Sequence, residues 1–255
     1  LRPVGQLKPA TPDGDPSFGP CQRLDYELEM GVFVGTGNAQ GTRISIEEAD
    51  KHIFGLCLLN DWSARDIQYW EYQPLGPFLA KSFATTISPW IVTREALEPF
   101  RIPFTRPDTD PQPLPYLMSQ TVKESGFYDI HLTAQLTTEQ SRANHAAPAT
   151  LTDTNLDQAY WAISQLVTHH TVNGCNLQPG DLFGTGTMSG PAPEQAGTFN
   201  EISIGGKQAL QLPWGEERKY LHDGDEIILL GECVKAGYPR LSFGEASGRI
   251  LPSAI

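Results

Sequence analysis

Apolar and acidic residues alternate strictly through Leu24-Asp25-Tyr26-Glu27-Leu28-Glu29-Met30. A period of two predicts a strand with Leu24, Tyr26, Leu28 and Met30 on one side and Asp25, Glu27 and Glu29 on the other. Val32, Phe33 and Val34 prolong it. Ile53–Leu59 is apolar throughout and predicts a buried strand, and Tyr128–Thr138 alternates again. Helical periods are scarce. Ser45-Ile46-Glu47-Glu48 reads as a capping box opening a short helix through His52 and Phe54, closed near Gly55. Leu156, Tyr160, Ile163, Leu166, Val167 and His170 make an apolar stripe that predicts one long helix over Asn155–His170. His169 and His170 in its last turn suit the negative end of the helix dipole. Leu1–Pro20 reads as loop and edge strand, Arg101–Pro115 as a proline-rich surface connection, and Ser141–Thr154 as loop or ragged strand. Glu201-Ile202-Ser203-Ile204 predicts a strand. The tail Lys219–Leu251 predicts two more around a turn at Asp223–Glu226.

The chain is organised around Leu59–Trp90. Asn60-Asp61 ends the apolar run, Ser63 with Asp66 reads as a capping box, and Pro74 stops the short helix between. Arg65, Gln68 and Tyr72 fall on one helical face. Gly76-Pro77 turns the chain, and Phe78–Trp90, which holds Lys81 among Phe78, Phe83 and Trp90, reads as extended. Arg, Gln and Tyr on one face are costly to bury without partners, so the face is either solvated or built around a ligand.

Length and turn chemistry make this a mostly β domain. The chain of 255 residues is enough for one large domain with its own core. The net charge of −12 argues against nucleic acid or an anionic membrane as partner. Four cysteines without CxxC spacing point to a reducing compartment, the cytoplasm, with Cys57 a buried thiol.

Glu27 and Glu29 lie two apart on one strand face, roughly 7 Å between Cα atoms. They are either an exposed acidic face or a pair that needs a cation or a shared proton. Asp61 adds a third carboxylate. Oxygen donors of this kind suit a hard cation, Mg²⁺ or Ca²⁺, rather than zinc. The glycine-rich stretch around Gly180, Gly184, Gly186 and Gly190 lets backbone approach a ligand, but its spacing matches neither dinucleotide nor P-loop motifs.

NDWSARDIQYWEYQPLGPFLAKSFATTISPW, RLDYELEMGVFVG and THHTVNGCNLQPGDLFGTGTMSGP resemble three blocks of the fumarylacetoacetate hydrolase family, and the likeness runs over nearly the whole chain. The resemblance implies a β-roll, a mixed β-sandwich with few short helices, working as a homodimer. It implies metal-dependent hydrolysis of the carbon–carbon bond of 4-fumarylacetoacetate, a dicarboxylate β-diketo acid, in tyrosine and phenylalanine degradation. The long WEYQPLGPFL form favours this hydrolase over the superfamily's acylpyruvate hydrolases and oxaloacetate decarboxylases. By motif position, Glu27, Glu29 and Asp61 hold metal, with Lys81 and Thr85 beside a second cation. Arg65, Gln68 and Lys81 are donors around the oxyanion and carboxylates, Gln68, Tyr72 and Thr187 bind substrate, and Glu201 orients the base. That base, a histidine, belongs with a further metal-binding aspartate, a tyrosine and an arginine to a segment upstream of Arg2. The expectation is that 1–255 is the larger part of a C-terminal catalytic domain, impaired alone. A non-catalytic metal-binding domain is the rival.

Overall fold

The computed structural model describes residues 1–9, 11 and 13–254. Short strands dominate, with a few brief helices between them. Leu28–Val34 pairs antiparallel with Ile53–Asn60, and Leu182–Gly184 adds to its other side. Thr86–Ile87 and Val92–Thr93 pair with the outer edge of Ile53–Asn60. A second sheet runs Ala149–Asn155, His131–Thr137, Glu226–Cys233, Leu241–Arg249. Every strand pairing recorded among the described residues is antiparallel.

The core lies between the two sheets. Leu56, Leu58, Leu132, Leu229 and Phe243 are buried there. A Cβ on Gly231 would meet Leu58, Leu132 and Phe243 at 2.9–3.3 Å, which measures how closely the sheets approach. Tyr26 is fully buried edge-to-face against Phe199, ring centroids 5.9 Å apart. Its hydroxyl meets Thr152 at 2.7 Å, so the phenol is satisfied as well as packed.

Several local expectations yield to tertiary contacts. The acidic alternation is not one strand: Leu24–Asp25 and Leu28–Val34 are separate, and Asp25 and Glu29 are buried rather than solvated. Ser63 does not cap a helix. It pairs with Asp25 across a two-residue ladder and donates to Asp61 O, and the helix Arg65–Glu71 starts without a side-chain cap. Asp66 is taken up by Cys21 Sγ and Gln22 N. Phe78–Ser82 is a tight turn rather than extended chain. The helix expected from Ser45 is only a 3₁₀ turn, Ala49–His52, before the strand that was expected at Ile53. Tyr128–Thr138 is divided into Phe127–Tyr128 and His131–Thr137.

Asn155–His170 is not one helix. Asn155 ends a strand, Leu156–Gln158 is a 3₁₀ turn, and only Ile163–Thr171 is α-helical, with both histidines in its last turn. Ser141–Thr154 is likewise more ordered than expected, containing the end of helix Glu139–Ala143 and most of the strand Ala149–Asn155. The tail behaves as expected, two long strands after the Asp223–Glu226 turn.

Candidate active site and metal centre

Antiparallel pairing of Leu28–Val34 with Ile53–Asn60 sets Leu28 opposite Asn60 and Glu29 opposite Leu59. The start of one strand and the end of the other therefore share one sheet end. Asp61 N donates to Glu27 O at 3.3 Å, and Asn60 Oδ1 accepts from Glu27 N at 3.1 Å. This locks Glu27 beside Asp61, 34 positions on in sequence. Carboxylate oxygens of Glu27, Glu29 and Asp61 all lie within 4.8 Å of one another.

Three carboxylates at that spacing repel, and the charges around them decide the outcome. Burial works to raise Glu27, but Arg65 and Lys81 outweigh it and hold its carboxyl below the ordinary range. Glu29 makes no ion pair among the described residues. Burial, then Glu27 and Asp61, push its carboxyl up to about 8, and Lys81 lowers it less than those acids raise it. Burial also raises Asp61, against the pull of Lys81. The cluster thus holds more negative than positive charge, Arg65 being shared with Asp25, and a proton on Glu29 or a hard cation among the three carboxylates can offset it. An all-oxygen donor set fits Mg²⁺ or Ca²⁺ by its chemistry.

Lys81 is delivered by the Phe78–Ser82 turn. Glu71, the last residue of the Arg65–Glu71 helix, clamps that turn by accepting from Phe78 N, Leu79 N and Ala80 N at 2.7–3.2 Å. Lys81 Nζ then reaches Glu27 Oε2 at 2.6 Å and Asp61 Oδ2 at 2.7 Å. In this form Lys81 is a counter-charge, since an ammonium has donors and no lone pair.

At the helix start, Arg65 Nη1 donates to Glu27 Oε1 at 2.8 Å and to Gln68 Oε1 at 3.0 Å. Tyr72 follows at the helix end, half exposed, edge-on to Tyr69. Both tyrosines line a cavity of about 750 Å³ that also meets Lys8, Arg23 and Gly205.

The glycine-rich stretch closes the other side. Gly186 N donates to Glu29 Oε2 at 3.0 Å, from a left-handed φ of +82° that favours glycine. Gly184 faces the same oxygen so closely that a Cβ would lie 2.6 Å from it. Thr187 sits between Gly186 and Met188, whose N–H bonds Leu28 O. Glu201 is in a helical turn, Phe199–Ile202, not the expected strand. Its Oε2 accepts from Ser189 Oγ and Thr198 Oγ1, both at 2.9 Å. Thr198-Phe-Asn-Glu201 is a Thr-x-x-Glu capping signal, legible in the sequence.

The structure therefore joins Glu27, Glu29, Asp61, Arg65, Gln68 and Lys81 directly. Thr187 and Glu201 lie on the flanking glycine-rich segment and the turn bonded to it through Ser189. Thr85 is exposed and has no hydrogen bond or ion pair to the cluster among the described residues. Four of the six histidine side chains bond elsewhere: His52 to Thr36, His131 to Asp153, His169 to Tyr116 and His170 to Cys175. Two residues escaped the sequence reading. Glu71 is one, an acid at the end of a helix where the dipole disfavours it unless backbone donors compensate. Asp25 is the other, and it looked like a third member of a solvated acidic face.

The profile described as fumarylacetoacetate (FAA) hydrolase C-terminal matches residues 7–236. Fumarylacetoacetase of Bos taurus is 50% identical over 252 residues, 99% of this chain and 58% of the relative. That of Arabidopsis thaliana is 50% identical over 253 residues, 99% of this chain and 57% of the relative. The chain thus spans a little over half the length of these relatives. Among solved structures, fumarylpyruvate hydrolase from Pseudomonas aeruginosa in complex with Mn²⁺ and pyruvate aligns with a TM-score of 0.51 at 18% identity, covering 98% of this chain and 72% of that one. A fumarylacetoacetate hydrolase from Exiguobacterium antarcticum aligns with a TM-score of 0.51 at 18% identity, covering 98% and 62%. Both share the fold. A profile match over most of the chain, with half its residues identical to such relatives, means that this chain belongs to the fumarylacetoacetate hydrolase family, as its C-terminal part.

Proposed function

We propose that the chain carries most of the catalytic machinery for hydrolysing 4-fumarylacetoacetate to fumarate and acetoacetate, as a C-terminal catalytic domain of a longer protein. One observation carries the reading: three carboxylates from two strand ends converge within 4.8 Å, with Lys81 and Arg65 bonded to them. Glu27, Glu29 and Asp61 would hold Mg²⁺ or Ca²⁺, which supplies Lewis-acid charge for the diketone oxygens and the departing enolate.

The chain's own residues do the rest. Water adds to the ketone carbon that becomes the fumarate carboxyl, giving its proton to a base. The carbon–carbon bond then breaks, its electron pair leaves as the acetoacetate enolate, and the enolate takes up a proton. Lys81 and Arg65 place positive charge and N–H donors where the oxyanion develops. Gln68, Tyr72 and Thr187 orient the substrate's polar ends. Glu201 is held through Oε2, and its Oε1, which has no hydrogen bond among the described residues, would orient a base. A histidine outside 1–255 is the base, in keeping with the greater length of the relatives. Thr85 would serve a second cation beside Asp61.

The full-length protein should consume fumarylacetoacetate in a reaction abolished by a chelator, and prefer it to acylpyruvates and oxaloacetate. No consumption, or preference for a rival substrate, would overturn the reading. Metal binding without hydrolysis by the full-length protein would identify a non-catalytic domain. Purified 1–255 should turn over very poorly; normal turnover would sink the placement of the base. Exposed Leu75, Phe78 and Leu79 support self-association as a homodimer, which sedimentation would check. Among the described residues no helix is long and apolar enough to cross a membrane. The cytoplasmic location proposed rests on the cysteine pattern, with Cys21, Cys57, Cys175 and Cys233 all free thiols.

A further inference from the structure

Asp25 is wholly buried, yet both of its oxygens are fully used. Oδ1 accepts from Tyr26 N at 2.9 Å and Phe199 N at 2.7 Å. Oδ2 accepts from Arg65 Nε at 2.9 Å and Asn200 N at 3.0 Å. A buried carboxylate is tolerated only with partners of this completeness. Phe199 and Asn200 open a helical turn, so their N–H groups lack partners within it. The same turn carries Glu201. One side chain thus ties the guanidinium of Arg65 to the turn of Glu201, more than a hundred residues away.

The consequence falls on Arg65. With Nε committed to Asp25, the planar guanidinium has its roll fixed, and Nη1 is left aimed at Glu27 Oε1 and Gln68 Oε1. We propose that Asp25 is a positioning residue for the hydrolytic site, holding Arg65 in register with the Glu201 turn. The proposal rests on the hydrolase reading above. Asp25 itself touches neither metal cluster nor substrate position. Asn200 extends the same framework outward, its Oδ1 accepting from the hydroxyls of Tyr69 and Tyr220 at 3.0 and 2.9 Å.

The test uses Asp25→Asn in the full-length protein. Asparagine keeps the size but turns one acceptor into a donor that faces other donors. Expected is a fall in kcat of about 10- to 100-fold, the usual range for an outer-shell partner. KM and the Mg²⁺ affinity read by calorimetry should stay within about threefold. The Arg65 Nε–H resonance, assigned by its loss in Arg65→Gln, should be shifted and protected in the unsubstituted protein and lose that protection in Asp25→Asn. Unchanged kcat per folded molecule, or an unmoved Arg65 resonance, overturns the proposal. Should Asp25→Asn not fold, Asp25→Asn/Arg65→Gln removes both charges of the pair and is compared with Arg65→Gln alone. Their kcat values should agree within about threefold, and a further tenfold loss overturns the proposal. If the unsubstituted protein hydrolyses no fumarylacetoacetate, the hydrolase reading fails, while the resonance still reports whether Asp25 orients Arg65.

Discussion

Lys81 Nζ lies 2.6 Å from Glu27 Oε2, bridging on to Asp61, while Glu29 in the same cluster makes no ion pair among the described residues. That asymmetry governs how the three carboxylates respond to substitution, pH and metal.

Glu29→Gln should reduce divalent affinity by at least about tenfold, as loss of an anionic ligand from a three-carboxylate set requires. Titration calorimetry with Mg²⁺ and Mn²⁺ reads it directly. Affinity equal to that of the unsubstituted chain would remove Glu29 from the ligand set.

Glu29 titrates near 4.5 when unperturbed and is pushed up to about 8 in the fold, by burial first and by Glu27 and Asp61 next. Between those values the folded chain holds a proton that the unfolded chain has released. Stability from this group is therefore fully present below about pH 4.5 and lost as pH rises through about 8. A divalent ion competes with that proton, so its affinity should rise over the same window. Thermal unfolding across that window, with chelator and with saturating Mg²⁺, should show a downward slope that the metal flattens. Parallel profiles would contradict it.

Gly184→Ala should weaken metal binding while leaving the fold intact. The added methyl would lie 2.6 Å from Glu29 Oε2 and displace the carboxylate, which is the movable partner. A loss of affinity with an unchanged far-ultraviolet spectrum is expected; unaltered affinity would show that Glu29 has room to move.

Asp225→Ala tests the tail's structural role. Arg218 donates to Asp225 through Nε at 2.8 Å and Nη2 at 3.0 Å, and both residues are buried. Removing the acid leaves the buried guanidinium with Glu216 and Glu217 O as its recorded partners, and losing the buried member of the pair costs up to about 3–5 kcal/mol. Denaturant unfolding should show that loss, with metal affinity unchanged. A loss below about 1 kcal/mol would mean that Glu216, already bonded to Arg218 Nη2 at 2.9 Å, suffices to hold the charge.

The sequence by itself determined the strand-rich architecture, the buried strand over Ile53–Leu59 and the two strands of the tail. Those features come from side-chain period and from residue chemistry, which are local. Asp61, by contrast, joined Glu27 and Glu29 only through family resemblance in the sequence and through strand pairing in the fold. Tertiary structure decided what each local signal was worth. Ser63 and Asp66 had the spacing of a capping box, yet strand pairing took the first and Cys21 with Gln22 took the second. Conversely Thr198 did cap, through Glu201 N, a turn that two isoleucines had made look like a strand. The stripe over Asn155–His170 ran across a strand end because period alone cannot tell helix from a bent chain packed on the same core. Whether Asp25 met water or Arg65 depended on segments far apart in the chain, and burial of a charge is settled only when its partners arrive.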